Sequence, residues 1–343
     1  MPVSTLFKVE IQKKKKSWQK AKRGFEFIDL FAGIGGFRIA LESHGGECVF
    51  SSEWDENSQE TYANNFGEMP DGDITKIDES EVPSHSVLCA GFPCQAFSIS
   101  GKMKGFDDTR GTLFFDVARI AKKVKPDVLF LENVKNFAKH DDGKTLEVVK
   151  DTLDKIGYNY FTQILRSSDY GVPQARERIY IIAFRKDLHI KDFEFPPISN
   201  TVKTVEDILE NENYTQNFII DRPDIHLKKP DAVPVDPRRP LQIGQINNGG
   251  QGERIYSPKA AGITLSAYGG GAASKTGAYL INGKVRKLTP RECARMQGFP
   301  EDYEIPQNKN LAYKQFGDSV SVPVLKAIFQ QIIKAHPKLT SQI

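Results

Sequence analysis

The chain has 343 residues, 39% of them hydrophobic and 27% charged, and this composition excludes a disordered or fibrous protein. It lacks an apolar run of the roughly 18 residues that a membrane helix needs, and it lacks an apolar signal near its start, so we expect a cytoplasmic protein. Its four cysteines lack CxxC spacing, so we expect neither a metal site nor a disulfide framework. The net charge of +3 combines +7 in residues 1–24, +8 in residues 226–299 and −12 elsewhere, which favours a polyanion such as nucleic acid as partner, although a basic terminus is often only a solvated tail.

Strands and helices alternate along the first half of the chain. After the lysine-rich residues 1–24, strands are expected at 25–31, 48–53, 86–90, 127–132 and 178–185, with helices at 37–43, 56–65, 112–123 and 144–156. Strands that alternate with helices predict a parallel sheet with right-handed crossovers. The expected fold class is therefore α/β with a Rossmann-like sheet.

The alternation stops near Pro196, and a second, smaller domain is expected to follow. Residues 196–240 read as irregular surface, and residues 244–283 carry ten glycines. Short strands are expected there at 255–256, 263–265 and 279–281, and helices after it at 289–297 and 322–335, the first of them capped by Thr289. The expected parts are a tail at 1–24, a catalytic domain at 25–200 completed by 290–343, and a glycine-rich β/loop recognition domain at 201–289.

The first strand leads into a glycine turn with Gly33, Gly35 and Gly36, which lets a ligand approach the amides at the positive end of a helix. Such glycines are as often only tight-turn residues, and their spacing departs from the GxGxxG dinucleotide pattern. Glu53 follows the next strand, where an acid can hold two ribose hydroxyls. Trp54 beside it fits either a stack on adenine or a core or interface aromatic.

Cys94 follows the strand at 86–90, at the carboxyl end where ligands bind in open α/β sheets. A buried structural cysteine is the commoner case, and Cys89 inside the strand fits it. Pro93 fixes the turn before Cys94, and residues 98–111 are polar, glycine-rich and long enough for a mobile lid. A lid over a thiol favours nucleophilic catalysis.

Charged side chains also mark two other expected strands. Glu132 stands at the end of one strand, and Arg176 and Arg178 stand at the beginning of another. A carboxylate that enters a mostly buried sheet loses solvation and needs a partner or a chemical role. A structural ion pair between Glu132 and an arginine is the alternative at this point.

Six motifs in this order resemble the motif series of the DNA (cytosine-5) methyltransferases. They are FAGIGGF at 31–37, EWD at 53–55, GFPCQAFS at 91–98, ENV at 132–134, QARERIY at 174–180 and KQFGDSV at 314–320. The resemblance covers nearly the whole chain from residue 25 onward. The stretches GGQGERIYS at 249–257 and TLSAYGGG at 264–271 resemble the recognition region of short bacterial restriction–modification members.

The resemblance implies an enzyme that transfers a methyl group from S-adenosylmethionine to C5 of cytosine in double-stranded DNA and releases S-adenosylhomocysteine. It further implies GCGC as the target with the inner cytosine modified, a monomer in the bacterial cytoplasm near the nucleoid, and a cognate restriction endonuclease as a possible companion. No membrane association and no metal are expected.

The resemblance also implies roles for the reactive side chains. Cytosine C5 is a weak nucleophile, so a thiolate first adds at C6, and Cys94 matches that thiolate. Glu132 matches the carboxyl group that supports N3 and the exocyclic amine, Arg178 sits by the base O2, and Arg176 is a further polar member of the pocket.

The cofactor positions carry over in the same way. Phe31 and Trp54 match the pair that sandwiches adenine, and Glu53 matches the ribose carboxylate. The other matching positions are Ala32, Gly33, Ile34, Gly35, Gly36, Asp73, Ile74, Pro93, Asp318 and Ser319. Asp318 departs from the family's usual Asn, and since its charge can pair with the cofactor's ammonium group, only a modest effect is expected.

A thiolate cannot reach C6 inside a stacked duplex, so the resemblance implies base flipping. Gln95, Ser98 and Gln251 then match positions at the gap that the base leaves. Arg254, Tyr268 and Gly271 match positions that touch bases, and arginine to guanine is the commonest specific contact. Phosphate contacts are the alternative role for the basic residues of this region, Arg254, Lys259, Lys275, Lys284 and Arg286.

Three other classes of protein compete with this interpretation. An RNA methyltransferase of the same fold would share the catalytic motifs but not the recognition stretch. A catalytically inactive DNA-binding relative would have lost Cys94 or Glu132, and the chain keeps both. A dinucleotide oxidoreductase is disfavoured because GxGxxG is missing.

Overall fold

A computed structural model gives the structure of the chain and describes residues 16–18, 24–93 and 113–341. The first half forms a sheet with its connecting helices. In chain order its elements are β1 Glu26–Leu30, α1 Gly36–Glu42, β2 Glu47–Ser52, α2 Glu56–Phe66, β3 Val87–Gly91, α3 Leu113–Val124, β4 Val128–Val134, α4 Lys144–Lys155, β5 Tyr158–Arg166 and β6 Glu177–Arg185.

The second half forms a smaller sheet followed by three helices. Its elements are β7 Ile225–Leu227, β8 Gln242–Ile246, β9 Arg254–Tyr256, β10 Ala278–Ile281, β11 Lys284–Lys287, α5 Pro290–Gln297, α6 Lys309–Asp318 and α7 Val322–Ala335. Within the described ranges, no helix has the length and apolar character to cross a membrane.

The first sheet has the strand order β2-β1-β3-β4-β6-β5 and is mixed. Strands β1 to β4 are parallel, but β6 runs antiparallel to both β4 and β5. The expectation of a wholly parallel sheet was therefore wrong. The sequence patterns did not predict strand β5, which follows α4 and forms the edge of the sheet. The chain returns from β5 through β6 without a crossover helix, so β6 runs in the opposite direction.

Apolar side chains cover both faces of this sheet, as strands of α/β proteins require. On β4, Val128 and Phe130 face the core formed with α1, α2, α5, α6 and α7, whereas Leu129 and Leu131 face the core formed with α3 and α4. This double burial fixes the strand register, because a slip by one residue would exchange the two faces.

The predicted helix starts agree with the caps seen in the structure. Thr289 accepts a hydrogen bond from the Glu292 amide at 3.1 Å, and the Glu292 carboxylate accepts from the Thr289 amide at 2.8 Å, a complete capping box ahead of α5. Asp55 caps α2 by accepting from the Ser58 amide at 2.9 Å.

The second sheet has the order β11-β10-β9-β8-β7. The strands expected at 255–256 and 279–281 are confirmed as β9 and β10. The strand expected at 263–265 was wrong: this segment makes an isolated bridge at Gly262 and then hydrogen-bonds to side chains, with the Leu265 amide donating to Gln174 Oε1 at 3.1 Å. Residues 196–240, expected to be irregular, contain the short edge strand β7.

Candidate active site

A cavity of about 740 Å³ opens at the carboxyl ends of β1 to β4. This edge is where open α/β sheets bind ligands. Because β6 is antiparallel, its first residues reach the same edge, and Val134 of β4 pairs with Arg178 of β6. A parallel β6 would have placed Arg176 and Arg178 at the opposite edge, away from Glu132.

Most of the residues expected at the site line this cavity. They are Phe31, Ala32, Gly33, Ile34, Gly36, Glu53, Trp54, Asp73, Ile74, Pro93, Glu132, Arg176, Arg178, Tyr268, Asp318 and Ser319. Gly35, Gln251, Arg254 and Gly271 do not line it. Cys94, Gln95, Ser98 and the expected lid at 98–111 lie outside the described residues.

The loop between β1 and α1 needs glycine for its conformation and for its close packing. Gly33 and Gly35 have φ of 55° and 82°, in the left-handed region that other residues rarely adopt. A Cβ on Gly36 would lie 2.5 Å from Val320 Cγ2, so only a residue without a side chain lets the loop pack against the segment after α6. Phe31, which is not glycine, also has φ of 56°, and such strain is characteristic of functional sites.

Glu53 holds the glycine loop to the end of β2. Its Oε2 accepts from the Gly33 amide at 2.7 Å and its Oε1 accepts from the Asp55 amide at 2.9 Å. Burial raises the pKa of this carboxyl, and the amide hydrogen bonds oppose the rise. Each carboxylate oxygen has a second lone pair, so Glu53 keeps acceptor capacity for a ligand hydroxyl.

Trp54 is 77% exposed, although its side chain is large and mostly apolar. It lines the cavity together with buried Ile74 and with Phe31. The interpretation of Trp54 as a core aromatic is therefore wrong, and an exposed indole at a cavity mouth is suited to stacking on a flat ring.

Glu132 is 6% exposed, and its environment favours the protonated acid. Burial raises its pKa, while the charges of Arg178 and, secondarily, Arg176 oppose the rise. Arg178 Nε lies 3.1 Å from Glu132 Oε1, yet within the described residues this oxygen accepts no hydrogen bond. The two groups are thus close without being aligned, which leaves Glu132 able to engage a ligand.

Arg176 is buried and donates hydrogen bonds to backbone carbonyls in two other segments of the chain. Its guanidinium donates to the carbonyls of Ser319 at 2.6 Å, Gly317 at 3.2 Å and Leu265 at 3.4 Å. Burial, followed by the neighbouring Arg178 charge, lowers its pKa to about 10. Arg176 therefore links β6 to the segment after α6 and to the loop that carries Tyr268.

Asp318 is exposed at the cavity wall, near Lys314. Partial desolvation raises the pKa of its carboxyl, and the charges of Lys314 and Arg176 oppose the rise. Lys314 itself bonds Asp55 at 2.9 Å and so ties α6 to the start of α2. The carboxyl of Asp318 thus lies near two cations, Lys314 and Arg176, and one further acid, Asp55.

Sequence reasoning missed Asn133, Lys314 and Gln315, which also line the cavity. Asn133 is buried and donates from Nδ2 to the Phe92 carbonyl at 2.9 Å, fixing the turn that precedes Cys94. All three stand inside quoted motifs, and a signal for Asn133 existed, since an amide at the end of a buried strand needs a partner.

The expected recognition residues lie on the second sheet and its loops. Gln251, Arg254, Tyr268 and Gly271 are exposed, and so are Lys259 and Lys284. Arg286 is different: it is buried and donates two hydrogen bonds to Glu292, at 2.7 and 2.8 Å. The alternative role of Arg286 as a phosphate contact is therefore wrong, because β11 turns this side chain inward.

A mixed Rossmann-like sheet with a glycine loop at its ligand-binding edge defines an α/β fold of the S-adenosylmethionine-dependent methyltransferase class. Solved structures of this fold match the chain. A DNMT2 variant from Spodoptera frugiperda has a TM-score of 0.69 at 19% identity and covers 90% of this chain and 100% of that chain. The S. pombe Dnmt2 methyltransferase has a TM-score of 0.69 at 19% identity, covering 90% and 98%.

Sequence similarity is closer. The family model for C-5 cytosine-specific DNA methylases matches residues 25–334. Type II methyltransferase M.HhaI from Haemophilus parahaemolyticus is 54% identical over 91% of this chain and 95% of that protein. M.SsoII from Shigella sonnei is 44% identical over 90% of this chain and 80% of that protein. The chain belongs to the C-5 cytosine-specific DNA methylase family and is a DNA (cytosine-5) methyltransferase of the Type II kind.

Proposed function

We propose that this enzyme methylates the inner cytosine of GCGC in duplex DNA, through a covalent bond between Cys94 and C6 of a flipped-out base. The observation that carries the proposal is a single cavity that joins the glycine loop, Glu53 and exposed Trp54 to the buried acid Glu132. A donor that binds at the first group of residues would present its methyl group to a base that binds at the second.

The residues fit S-adenosylmethionine. Glu53 keeps acceptor capacity beside the glycine loop, and Trp54 offers an exposed indole face at the same cavity. We infer that Phe31 and Trp54 hold adenine, Glu53 the ribose, and the loop at 32–36 the methionine part, with contacts from Asp73, Ile74, Pro93, Asp318 and Ser319. When bound, the cofactor supplies an electrophilic methyl group and leaves as S-adenosylhomocysteine.

The protein residues act on the cytosine. The Cys94 thiolate forms a bond to C6, the C5–C6 π pair moves to C4–C5, and the C4–N3 π pair moves to N3, which leaves an enamine with a nucleophilic C5. Glu132 donates a proton or hydrogen bond to N3 and accepts from the exocyclic amine, while Arg178 binds O2. As C5 takes the methyl group, the C4–N3 double bond re-forms and N3 returns its proton to Glu132. A base then removes the C5 proton, the C5–C6 double bond re-forms and Cys94 leaves as thiolate.

The second sheet carries the proposed DNA surface. We infer a division into a catalytic domain at 25–200 with 290–343 and a recognition domain at 201–289. Arg254, Tyr268 and Gly271 read bases, Gln251, Gln95 and Ser98 occupy the gap, and exposed lysines bind phosphate. Tyr268 lines the cavity while Arg254 stands outside it, so the surface extends from the flipped base to its neighbours.

The relatives are Type II methyltransferases. We infer that this chain acts as a cytoplasmic monomer at the nucleoid and protects host DNA against a cognate endonuclease that cuts the same site.

Bisulfite sequencing of DNA from a methylation-deficient host that expresses the chain tests the target sequence. We expect protection of the inner cytosine at nearly every GCGC site and at no other context. Protection scattered over other contexts, or centred on another short sequence, would contradict the proposed specificity. A host that expresses Cys94→Ser is the matched control, and its DNA should convert fully.

A further inference from the structure

The segment at 16–18 docks on the body of the protein, although it lies before the residues that match the family model. Ser17 donates from its amide and from its hydroxyl to Asp302, both at 2.7 Å. Lys16 Nζ donates to Glu304 at 3.0 Å. Trp18 is only 4% exposed. The interpretation of the basic N-terminal region as a solvated tail is therefore wrong for these three residues.

The Trp18 indole contacts two aromatic rings and one carboxylate. It packs edge-on against Phe66, with 5.8 Å between ring centroids, and against Tyr303 at 6.2 Å. Its Nε1 donates to Glu42 of α1 at 3.2 Å. Trp18 thus contacts α1, the end of α2 and the turn before α6 at one point.

Both aromatic neighbours of Trp18 reach the loop itself. Tyr303 is buried, and its hydroxyl donates to the Ile34 carbonyl at 2.7 Å. Phe66 lies so close to Gly35 that a Cβ there would fall 2.2 Å from the Phe66 ring. Each ring thus contacts one loop residue, and Trp18 is the residue that packs against both rings, beside Tyr62 on Phe66 and Phe299 on Tyr303.

We propose that Trp18 is a positioning residue for cofactor binding: it holds Tyr303 and Phe66 against Ile34 and Gly35 and so keeps the loop at 32–36 in its binding conformation. This inference rests on the proposed function of that loop. Truncating the indole to a methyl group leaves a void that the two rings relax into, and the loop then gains alternative conformations. Such freedom weakens binding because the cofactor must order the loop.

Calorimetric titration of S-adenosylhomocysteine into the full-length protein tests the inference. We expect Trp18→Ala to raise the Kd by about tenfold, with an unchanged KM for DNA and an unchanged kcat at saturating S-adenosylmethionine. Trp18→Phe keeps an aromatic ring in place and should restore most of the affinity. Tyr303→Phe retains the ring but releases the Ile34 carbonyl, so it should weaken binding without disturbing the core, even if Trp18→Ala does not fold.

Leu339→Ala is the matched control, because Leu339 is also buried but belongs to the C-terminal turn Pro337–Thr340. It should lower the melting temperature while leaving the Kd unchanged. The chain has two tryptophans, and Trp18→Phe leaves only Trp54, whose quenching then reports binding at the cavity.

The outcomes separate the two proposals. If wild-type protein does not bind S-adenosylhomocysteine, the proposed function fails and this inference fails with it. If wild type binds and both Trp18→Ala and Tyr303→Phe bind equally well, only the positioning role is overturned. An equal loss of affinity in Leu339→Ala would overturn it too, since general destabilisation would then explain the effect.

Discussion

Glu132 combines two properties that a proton donor to cytosine N3 requires. Its pKa is raised by burial, and its Oε1 has no hydrogen-bond donor among the described residues although Arg178 is near. Arg178 and Arg176 limit the rise, so the acid can still give up its proton. The sequence could place Glu132 at a strand end, but it could not show this balance, which depends on the direction of β6.

The first prediction concerns the pH dependence of methyl transfer. A raised pKa keeps Glu132 protonated at higher pH than an ordinary glutamate, and the rate falls as pH rises through that value. We expect kcat/KM to show this alkaline limb in wild type. Glu132→Gln should lower the rate by roughly 100-fold or more and abolish the limb, because an amide does not ionise. An unchanged limb in the variant would assign it to another group.

Asp29 provides a second residue-scale prediction, on stability. It is buried, and burial raises its pKa well above the usual value, although the charge and the backbone amide of Arg38 oppose the rise. Above about pH 4 the unfolded chain loses this proton while the folded protein keeps it, so stability falls as pH rises toward the folded pKa.

Asp29→Asn removes this ionisation. Urea unfolding should show that the variant gains stability relative to wild type as pH rises above about 4, by about 1.4 kcal/mol per pH unit until the folded pKa of Asp29 is reached. A parallel pH dependence of wild type and variant would mean that Asp29 is ionised in the folded protein.

At the scale of elements, the sequence predicted those helices and strands whose own apolar pattern or capping residues define them. The strands β1 to β4 and the helices α1 to α4, α5 and α7 have continuous apolar cores or clear caps, and they agree with the structure within one or two residues. Strand β5 has mostly half-buried residues, and α6 carries polar residues that bond across to α2, such as Gln315. Their structure depends on partners far along the chain, which local patterns do not show.

The direction of a strand is also not visible in its local sequence pattern. The residues of β6 read as a buried strand in either direction, and only pairing with β4 and β5 makes it antiparallel. That reversal brings Arg176 and Arg178 to Glu132. Most of the residues that the motif resemblance names line one cavity, whereas strand patterns alone would have separated Arg176 and Arg178 from Glu132.

The contact between the two recognition loops gives the third prediction. A Cβ on Gly252 would lie 1.9 Å from the Gly270 carbonyl oxygen, and the Gly252 carbonyl accepts from the Ala273 amide at 2.8 Å. Backbone cannot yield at low cost, so Gly252→Ala must separate the loops that carry Arg254 and Tyr268. We expect about tenfold weaker binding of a GCGC duplex in a gel-shift assay.

Affinity for S-adenosylhomocysteine should be unchanged in Gly252→Ala, because the cavity does not include this glycine. Lys155→Ala is a suitable control, since Lys155 is exposed at the end of α4, does not line the cavity and lies far from the two loops in sequence. Wild-type DNA affinity in Gly252→Ala would show that the loop contact does not organise the recognition surface.

For the whole molecule, the charge of +8 in residues 226–299 is the feature most relevant to DNA. The structure refines it: Arg286 pairs with Glu292 inside the protein, whereas Lys259 and Lys284 are exposed. The residues that remain at the surface are those that can displace counterions from DNA.

The fourth prediction is the salt dependence of DNA binding. Each phosphate contact contributes about 0.9 to the slope of log K against log salt concentration. Lys259→Ala should reduce the slope by about one, with little change in sequence preference. Lys155→Ala, at the exposed end of α4, should leave the slope unchanged. Equal slopes for wild type and Lys259→Ala would exclude Lys259 as a phosphate contact.

Transfer of labelled methyl from S-adenosylmethionine to a short duplex with one GCGC site tests the nucleophile and the target base together. We predict transfer to the unmodified duplex by wild type, and background levels both for a duplex already methylated at the inner cytosines and for Cys94→Ser. Equal transfer to the premethylated duplex, or equal transfer by Cys94→Ser, would contradict the assigned target base or the assigned nucleophile.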